Sequence, residues 1–283
     1  STQAGRYCGY IPNLHCEETG IPGVKPSDMV MAFFNSERGL VAPTWNDQGP
    51  GGRIVNQVTY EDQFYWSSAS VCTGALPSKK VGMAFTGATG YGSAGKAWAF
   101  GGKDASSTFR ELYELDYDHH CRWTKVKQEP DKGPPGLFRA SLTYADNQLI
   151  LFGGQRQRQD DSFSNELWVA SLLPPARVSW KKEPQPEQAP QPAGRMRHGS
   201  AWDSGSRRLI IYGGSNNQQL TDLWFYDVET KRWFEFEAPP QPVVGQHCDF
   251  AVAWVETEKE KLKDKKLYLV ELAPGRRIFS HKM

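Results

Sequence analysis

A pair of adjacent glycines recurs at the end of three similar apolar segments, and this recurrence constrains the fold more than any other feature. The segments read KAWAFGG, QLILFGG and RLIIYGG, and their glycine pairs are 52 and 60 residues apart. After each pair come a polar loop, a leucine followed by an aromatic residue, and a tryptophan nine to twelve residues further on. The repeated positions are Gly101, Gly102, Tyr113, Trp123; Gly153, Gly154, Trp168, Trp180; and Gly213, Gly214, Trp224, Trp233. Marks in a fixed order at a period near 50 indicate a repeat architecture.

Apolar residues occur in short runs, and this favours strands over helices. Hydrophobic residues make up 39% and aromatic residues 12% of the 283 residues, enough for a large core. The runs alternate with Gly, Asp, Asn and Pro, and no amphipathic segment reaches the length of a typical helix. The sequence therefore predicts an all-β domain.

The three repeats resemble those of the kelch-repeat family. The resemblance covers residues from about 81 to 237, where the repeated positions keep their order. The third repeat also carries the segment RMRHGSAW, in which Arg195 and His198 match the family's Arg-x-x-His-small opening. In the other two repeats, we expect Arg139 and Gly82 at the position of His198. The resemblance implies a kelch-type β-propeller whose blades are four-stranded antiparallel sheets around a central axis.

Weaker copies of the repeat flank the three clear ones and set the expected number of blades. The segment from Arg53 to Trp66 aligns without a gap on that from Arg110 to Trp123, and Phe279 takes the tryptophan position at the other end. We expect a single domain over residues 1–283 with five blades, and six blades are the alternative. The expected blades span about 27–75, 76–130, 131–184, 185–238 and 239–283. Residues 1–26 could supply a strand that closes the ring, because an unpaired sheet edge is a liability.

The glycine pairs and the aromatic residues have different expected roles in a blade. Two glycines at the end of the second strand supply positive φ and let another backbone approach closely. The aromatic residues of the third and fourth strands, such as Trp168 and Trp233, are expected to fill the space between blades. Burial of each such side chain contributes roughly 2–3 kcal/mol. We therefore assign these residues to structure and not to binding.

The loops after the glycine pairs supply the predicted binding residues, because loops on a rigid scaffold commonly carry function. Arg110, Arg156 and Arg158 are candidates for a basic arc, since a guanidinium group binds a carboxylate or phosphate through two parallel hydrogen bonds. Asn216 and Asn217 are candidates for hydrogen bonding to a peptide. The alternative for all five residues is an ordinary solvated loop.

A Pro/Gln-rich stretch covers residues 183–195 at an expected blade boundary. Its composition predicts an extended, mobile segment with polyproline II character. We interpret it as a connector inserted between blades, and docking on a partner is the alternative.

No group of residues in the sequence points to catalysis or to a bound metal. His119, His120 and Cys121 are adjacent, but neighbouring residues of a strand face opposite ways, and a polar turn explains them. His198 and His247 are expected at equivalent inner positions, which leaves a small-molecule or metal-dependent enzyme at the channel mouth as an alternative function. Some members of the kelch family are metal-dependent enzymes, but the sets of metal ligands that they need cannot be identified in this sequence. We expect no catalytic residue, no cofactor and no metal.

Charge and cysteine content bear on the partner and the compartment. Lys and Arg (33) nearly balance Asp and Glu (32), so the basic excess of a typical nucleic-acid binder is missing, and nucleic-acid contact is a weaker alternative. The five cysteines show no zinc spacing, and free thiols in a reducing compartment are expected. No apolar run is long enough to span a bilayer. We expect an intracellular, cytoplasmic adaptor that binds a protein partner within a larger chain or complex.

Overall fold

The computed structural model describes the backbone of the outer strands and most side chains of the central region. The described ranges are 29–30, 34–36, 39–46, 49–60, 63–78, 80–88, 95–129, 133–156, 162–185, 189–236, 250–259, 262–271 and 277–282. Side chains are described within 72–78, 80–88, 95–129, 133–156, 162–185 and 189–236. In these ranges no helix has the length and hydrophobicity needed to cross a membrane.

The described residues form strands that assemble into five sheets. Sheet 1 has the order β1-β3-β4-β5, with β2 beside β3, and contains β1 (Met29–Val30), β2 (Phe34–Ser36), β3 (Gly39–Asn46), β4 (Gly49–Tyr60) and β5 (Gln63–Val71). Sheet 2 has the order β6-β10-β9-β8-β7 and contains β6 (Thr73–Gly74), β7 (Ala84–Gly87), β8 (Lys96–Phe100), β9 (Leu112–Asp116) and β10 (Arg122–Lys125).

The remaining three sheets follow the same plan. Sheet 3 has the order β11-β15-β14-β13-β12 and contains β11 (Lys127–Glu129), β12 (Ser141–Ala145), β13 (Gln148–Phe152), β14 (Leu167–Leu173) and β15 (Arg177–Lys182). Sheet 4 runs in sequence order through β16 (Gly199–Asp203), β17 (Arg208–Ser215), β18 (Gln219–Asp227) and β19 (Arg232–Phe236). Sheet 5 does the same through β20 (Phe250–Lys259), β21 (Leu262–Glu271) and β22 (Arg277–Lys282).

Consecutive sheets meet along their first strands. In sheets 2 to 4 each long strand pairs antiparallel with the next, so the first strand forms one edge. Strand β12 contacts β7 on one side and β16 on the other, and β16 also contacts β20. First strands that touch in succession are the inner strands of radially arranged sheets, as in a propeller. The predicted all-β fold is thus confirmed for the described residues.

Short strands extend the outer edges of sheets 2 and 3. Strand β6 pairs parallel with β10, and β11 pairs parallel with β15. The expected second blade, about 76–130, included β11, but the structure places this strand in sheet 3. On leaving one sheet, the chain first pairs with the outer strand of the next sheet and only then forms the inner strand of that sheet. The outer edges of sheets 2 and 3 are therefore covered by the segments that arrive from the preceding sheets.

The aromatic residues fill the space between sheets. Trp180 of sheet 3 lies edge-on to Phe100 of sheet 2, with ring centroids 5.8 Å apart. Trp233 of sheet 4 packs on Phe152 of sheet 3 at 5.1 Å. Both tryptophans therefore contact the phenylalanine that precedes the glycine pair of the preceding sheet. Each also donates its indole N–H to a glutamine of the crossing segment, Trp180 to Gln128 at 2.8 Å and Trp233 to Gln185 at 2.9 Å.

The crossing segment at 183–195 is held more firmly than its composition predicts. The Gln185 side chain accepts the Trp233 hydrogen bond, and the buried Glu183 carboxylate pairs with Lys231 at 2.7 Å. At the other end, the Arg195 side chain is fully buried. The expectation of a mobile connector is therefore wrong for both ends, and residues 186–188 lie outside the described ranges.

All six glycines of the repeated pairs have positive φ, between 64° and 101°. A Cβ atom on Gly101 would lie 2.5 Å from the carbonyl oxygen of Leu137, and one on Gly153 would lie 2.7 Å from that of Arg195. Only glycine fits both constraints, because other residues are strained at this φ and a backbone oxygen cannot easily move away. These glycines thus allow the backbones of neighbouring sheets to approach each other closely.

Strand pairing corrects the predicted alignment of the inner segments. The bridges Val81–Lys103, Phe138–Gln155 and Met196–Ser215 are equivalent in the three repeats. Counting from these bridges, Met83 and Ala140 occupy the position of His198, whereas Gly82 and Arg139 correspond to Arg197. The expectation for Arg139 and Gly82 is therefore wrong by one residue.

Two of the five cysteines form a disulfide bond. Cys72, which precedes β6, is joined to Cys121, which precedes β10, with the two Cα atoms 4.7 Å apart. The expectation of free thiols is wrong for this pair. The 49 residues that separate them are about one repeat, and the parallel pairing of β6 with β10 brings them together.

Candidate functional site

Strands β8 and β13 end directly before a glycine pair and β17 runs through one, at the same end of their sheets. We call this the diglycine end. It is formed by the described loop residues 101–111, 153–156, 162–166 and 216–218 and by the segments at 80–83, 137–140 and 195–198 that lead into the inner strands. Because antiparallel strands reverse at each connection, the hairpins at 145–148 and 203–208 lie at the opposite end.

Backbone hydrogen bonds join neighbouring sheets at the diglycine end. The second glycine of the first two pairs donates to the next sheet, from Gly102 to the carbonyl of Leu137 and from Gly154 to that of Arg195, both at 2.8 Å. A second series runs along the inner segments, where Arg139 N–H donates to Gly82 at 2.8 Å and Arg197 N–H donates to Arg139 at 3.2 Å. These bonds fix the segments that carry the candidate site.

An acidic residue precedes the leucine-aromatic pair in every repeat and collects the nearby donors. The residues are Glu111, Glu166 and Asp222. Each accepts a hydrogen bond from the aromatic residue two positions later: the Tyr113 hydroxyl at 3.1 Å, the Trp168 indole at 3.1 Å and the Trp224 indole at 2.6 Å. This recurring acid is visible in the printed sequence as RELY, NELW and TDLW, and the sequence analysis missed it.

Each acid also pairs with at least one cation, and in two sheets a cation comes from the segment before the inner strand. In sheet 4, Arg195 binds Asp222 through two hydrogen bonds of 2.6 and 2.7 Å. In sheet 2, Lys80 pairs with Glu111. Partial burial raises the pKa of the Glu111 carboxyl, but hydrogen bonds from Lys125 and Lys80 outweigh it and hold the pKa at about 2.

Sheet 3 has Leu137 at the position of Lys80 in sheet 2 and Arg195 in sheet 4, so a different cation pairs with its acidic residue, Glu166. Arg156, from the loop after the glycine pair, places Nη2 2.8 Å from Oε1 of Glu166. Lys182 approaches the same oxygen at 2.5 Å. Arg156 was predicted to bind a partner, and the structure places it in an ion pair with Glu166.

Arg139 is a buried arginine whose hydrogen-bonding groups are not all used. Its side chain is only 8% exposed, and no described residue accepts a hydrogen bond from Nε or Nη1. Its guanidinium carbon lies 4.7 Å from the ring centroid of Phe138, and the Lys103 ammonium lies 4.0 Å from the same centroid. Two cations therefore share one aromatic ring in the segment before the inner strand of sheet 3.

The space beside Arg139 depends on Gly82 of the preceding sheet. A Cβ atom on Gly82 would lie 2.3 Å from the Phe138 ring and 2.9 Å from Cγ of Arg139. Any larger residue would displace both side chains. Gly82 therefore lets Phe138 and Arg139 lie across the junction between sheets 2 and 3.

The other predicted binding residues lie in the loops of the diglycine end. Arg110 is exposed, and its carbonyl accepts a hydrogen bond from the Gln128 amide at 2.7 Å. Asn216 is half-buried, and Asn217 is exposed with a φ of 77°. Arg158 lies outside the described residues. Arg139, which the sequence analysis did not select as a binding residue, lies at the same end, in the segment before the inner strand of sheet 3.

His198, the residue considered for the alternative enzyme, is buried between sheets 3 and 4. Its Nε2 lies 2.8 Å from the Ser141 hydroxyl. Burial, with a further contribution from the Arg195 charge, lowers the pKa of His198 to about 3, so the imidazole is neutral. His247 lies outside the described residues. Among the described residues, no group of three or more His, Cys, Asp or Glu side chains is arranged to hold a metal ion.

Comparison with known proteins identifies the family. The model of the KLHDC2/KLHL20/DRC7 Kelch-repeats domain matches residues 49–258, which is more than half of the chain. The chain belongs to the kelch-repeat family. Its predicted fold class, an all-β kelch-type β-propeller, is thereby confirmed.

Kelch-repeat relatives include proteins of different kinds. Dynein regulatory complex subunit 7 of Chlamydomonas reinhardtii is 31% identical over 97 residues, which cover 34% of this chain and 8% of that protein. Host cell factor 1 of Homo sapiens is 30% identical over 137 residues, covering 44% of this chain and 7% of that protein. An F-box/kelch-repeat protein of Arabidopsis thaliana is 26% identical over 149 residues, covering 50% and 30%. The matched segments span less than a third of each of these relatives.

Proposed function

We propose that this kelch propeller is a non-catalytic binding module that holds a carboxylate-bearing segment of a protein partner at the diglycine end. Arg139 is the primary contact, and Lys103 adds a second positive charge. Arg110, Asn216 and Asn217, which lie in loops at the same end of the sheets, are the further candidate contacts. The module acts as an adaptor or scaffold, and the relative that is named as a subunit of a regulatory complex supports a role among proteins.

The observation that carries this proposal is the pair of Arg139 nitrogens without a hydrogen-bond partner. Leaving buried donors of a charged group unpaired costs on the order of 1–3 kcal/mol or more. A carboxylate oxygen that accepts a hydrogen bond from either nitrogen would recover part of that cost through a charge-assisted bond. By contrast, Arg195 already binds the Asp222 carboxylate through Nη1 and Nη2. This ion pair at the same end of the neighbouring sheet supports the proposal that Arg139 binds a carboxylate.

A peptide titration tests the proposal directly. Fluorescence anisotropy would compare a library of acidic peptides with the same peptides carrying Gln for Glu and an amidated C-terminus. We expect binding by members of the acidic set alone. Arg139→Leu should weaken that binding by about 10- to 100-fold, corresponding to charge-assisted bonds of roughly 1.5–3 kcal/mol.

The control is an arginine at the opposite end of the sheets. Arg207 lies in the hairpin before β17, its side chain is 53% exposed, and Arg207→Leu should leave the affinity unchanged. Because Arg139 has unpaired donors, Arg139→Leu should not lower the free energy of unfolding. Equal affinities of the acidic and neutralised peptides, or equal losses in the two variants, would refute the proposal. Preferential binding of single-stranded nucleic acid at the same site would favour the nucleic-acid alternative instead.

A further inference from the structure

The short strand β6 is attached to its sheet mainly by the Cys72–Cys121 disulfide. It pairs with β10 over two residues, and its flanking backbone hydrogen bonds run from Thr73 N–H to the Cys121 carbonyl at 2.9 Å and from Ala75 N–H to the Trp123 carbonyl at 2.8 Å. The side chains of residues 73–76 are exposed, so the strand buries little apolar surface of its own. The disulfide sulfurs, in contrast, belong to residues that are buried in the core of sheet 2.

Equivalent crossing segments are held without a covalent bond. Strand β11 pairs with β15 over three residues and is fixed by the Gln128–Trp180 hydrogen bond. The segment at 183–185 is fixed by the Gln185–Trp233 hydrogen bond and by the Glu183–Lys231 ion pair. In the segment at 72–75, no described side chain hydrogen-bonds to the Trp123 indole, and the disulfide takes the place of such a contact.

We propose that Cys72 and Cys121 form a redox-controlled clasp on the outer edge of sheet 2. A thiol reductant such as glutathione or a dithiol protein breaks the S–S bond by thiol–disulfide exchange, giving two Cys thiols while two thiols of the reductant become a disulfide. A disulfide oxidant reverses the reaction, with two electrons and two protons transferred in either direction. The clasp is therefore open in the reducing compartment expected from the sequence and closed under oxidising conditions.

Opening the clasp changes a defined part of the surface. Once the S–S bond is broken, β6 keeps only the backbone hydrogen bonds of its two-residue pairing with β10 and leaves the edge in local openings. The carbonyl groups of Cys121, just before β10, and of Trp123 on β10 then lose their donors. This edge lies away from the diglycine end, because the turn before β10 is at the opposite end of the sheet. The clasp is therefore independent of the proposed binding site.

Hydrogen exchange on the full chain tests this inference. The air-oxidised and dithiothreitol-reduced proteins are compared at equal pH, with the state of the two cysteines verified by mass spectrometry after alkylation. We expect the amides of Thr73 and Ala75 to exchange at least about 10-fold faster after reduction, as follows from the loss of a local restraint. The amide of Lys127, which donates to the Ala176 carbonyl at 3.0 Å in the β11 segment, is the internal control and should not change.

A double variant separates the clasp from a general effect of reductant. Cys72→Ser with Cys121→Ser should show the fast exchange of Thr73 and Ala75 without dithiothreitol and no further response to it. Unchanged exchange at Thr73 and Ala75 after verified reduction would overturn the proposal. Faster exchange throughout the chain would also overturn it, since the bond would then maintain the whole fold. Absence of the bond after oxidation would do the same.

Discussion

His198 makes the stability of this protein depend on pH in the mildly acidic range. The ring packs against Phe152, with centroids 5.3 Å apart, and Nε2 bonds to the Ser141 hydroxyl. Nδ1 has no hydrogen-bond partner among the described residues. Burial, reinforced by the Arg195 charge, lowers the pKa of His198 to about 3, whereas an unfolded chain has a histidine pKa of about 6.5. Replacing His198 by Gln removes the titration and keeps a side chain that can bond to Ser141.

The size of the effect follows from proton linkage. Below pH 6.5 the unfolded chain binds a proton that the folded chain does not, so stability falls as the pH falls from about 6.5 toward about 3. Because the folded imidazole stays neutral across this window, the loss follows the unfolded titration alone. It amounts to about 1.4 kcal/mol at pH 5.5 and about 2 kcal/mol at pH 5, relative to pH 7.5. The contributions of Glu166 and Asp222, whose pKa values are lowered, are lost only as the pH falls below their ordinary values of 4.5 and 3.8, so they have little effect between pH 7.5 and 5.5.

Urea unfolding followed by tryptophan fluorescence measures this loss. The free energy of unfolding would be determined at pH 7.5, 6.5 and 5.5 for the wild-type chain and for His198→Gln. We expect the wild-type chain to lose about 1.4 kcal/mol more than the variant between pH 7.5 and 5.5. Histidines elsewhere in the chain contribute to both proteins and cancel in the difference. Equal losses in the two proteins would refute the account of His198 as a buried, neutral residue.

Three further predictions concern the repeated positions. Gly153→Ala should lower the free energy of unfolding by about 2–4 kcal/mol, because φ is positive at this residue and the added Cβ atom would press on the Arg195 carbonyl. The control is Gly205→Ala in an exposed turn, which should change the free energy of unfolding by less than about 0.5 kcal/mol. Trp233→Ala should cost about 3–5 kcal/mol in urea unfolding, and a loss below about 1 kcal/mol would contradict its place between sheets. Arg156→Met should cost about 0.5–1.5 kcal/mol and leave acidic-peptide affinity unchanged, since this arginine pairs with its own sheet; weaker binding at unchanged stability would restore it as a contact residue.

The repeat itself could be predicted because its marks satisfy local rules. A glycine pair such as Gly153-Gly154 is needed where φ is positive and another backbone lies within contact distance, and these requirements recur with every blade. Tryptophans such as Trp180 and Trp233 recur because each packs on the phenylalanine before the glycine pair of the preceding sheet. Local rules of this kind leave a pattern that a single sequence displays.

The candidate site could not be predicted, because it depends on which partners each arginine meets. The sequence shows arginines at 139, 156 and 195 without showing which are paired. Because Leu137 has no charge, Glu166 pairs with Arg156 instead of with a residue at position 137. Arg139 lies across the junction between sheets 2 and 3. The disulfide was missed for a similar reason, since the parallel pairing of β6 with β10 joins residues 49 positions apart.

The Nε–Hε resonance of Arg139 reports most directly on whether this residue receives a carboxylate. It would be assigned in a two-dimensional nitrogen–proton spectrum by its disappearance in Arg139→Leu. On titration with a binding acidic peptide, we expect this resonance to move to lower field, because its proton gains a charge-assisted hydrogen bond. An Arg139 resonance that stays in place while the peptide binds would contradict the proposed site.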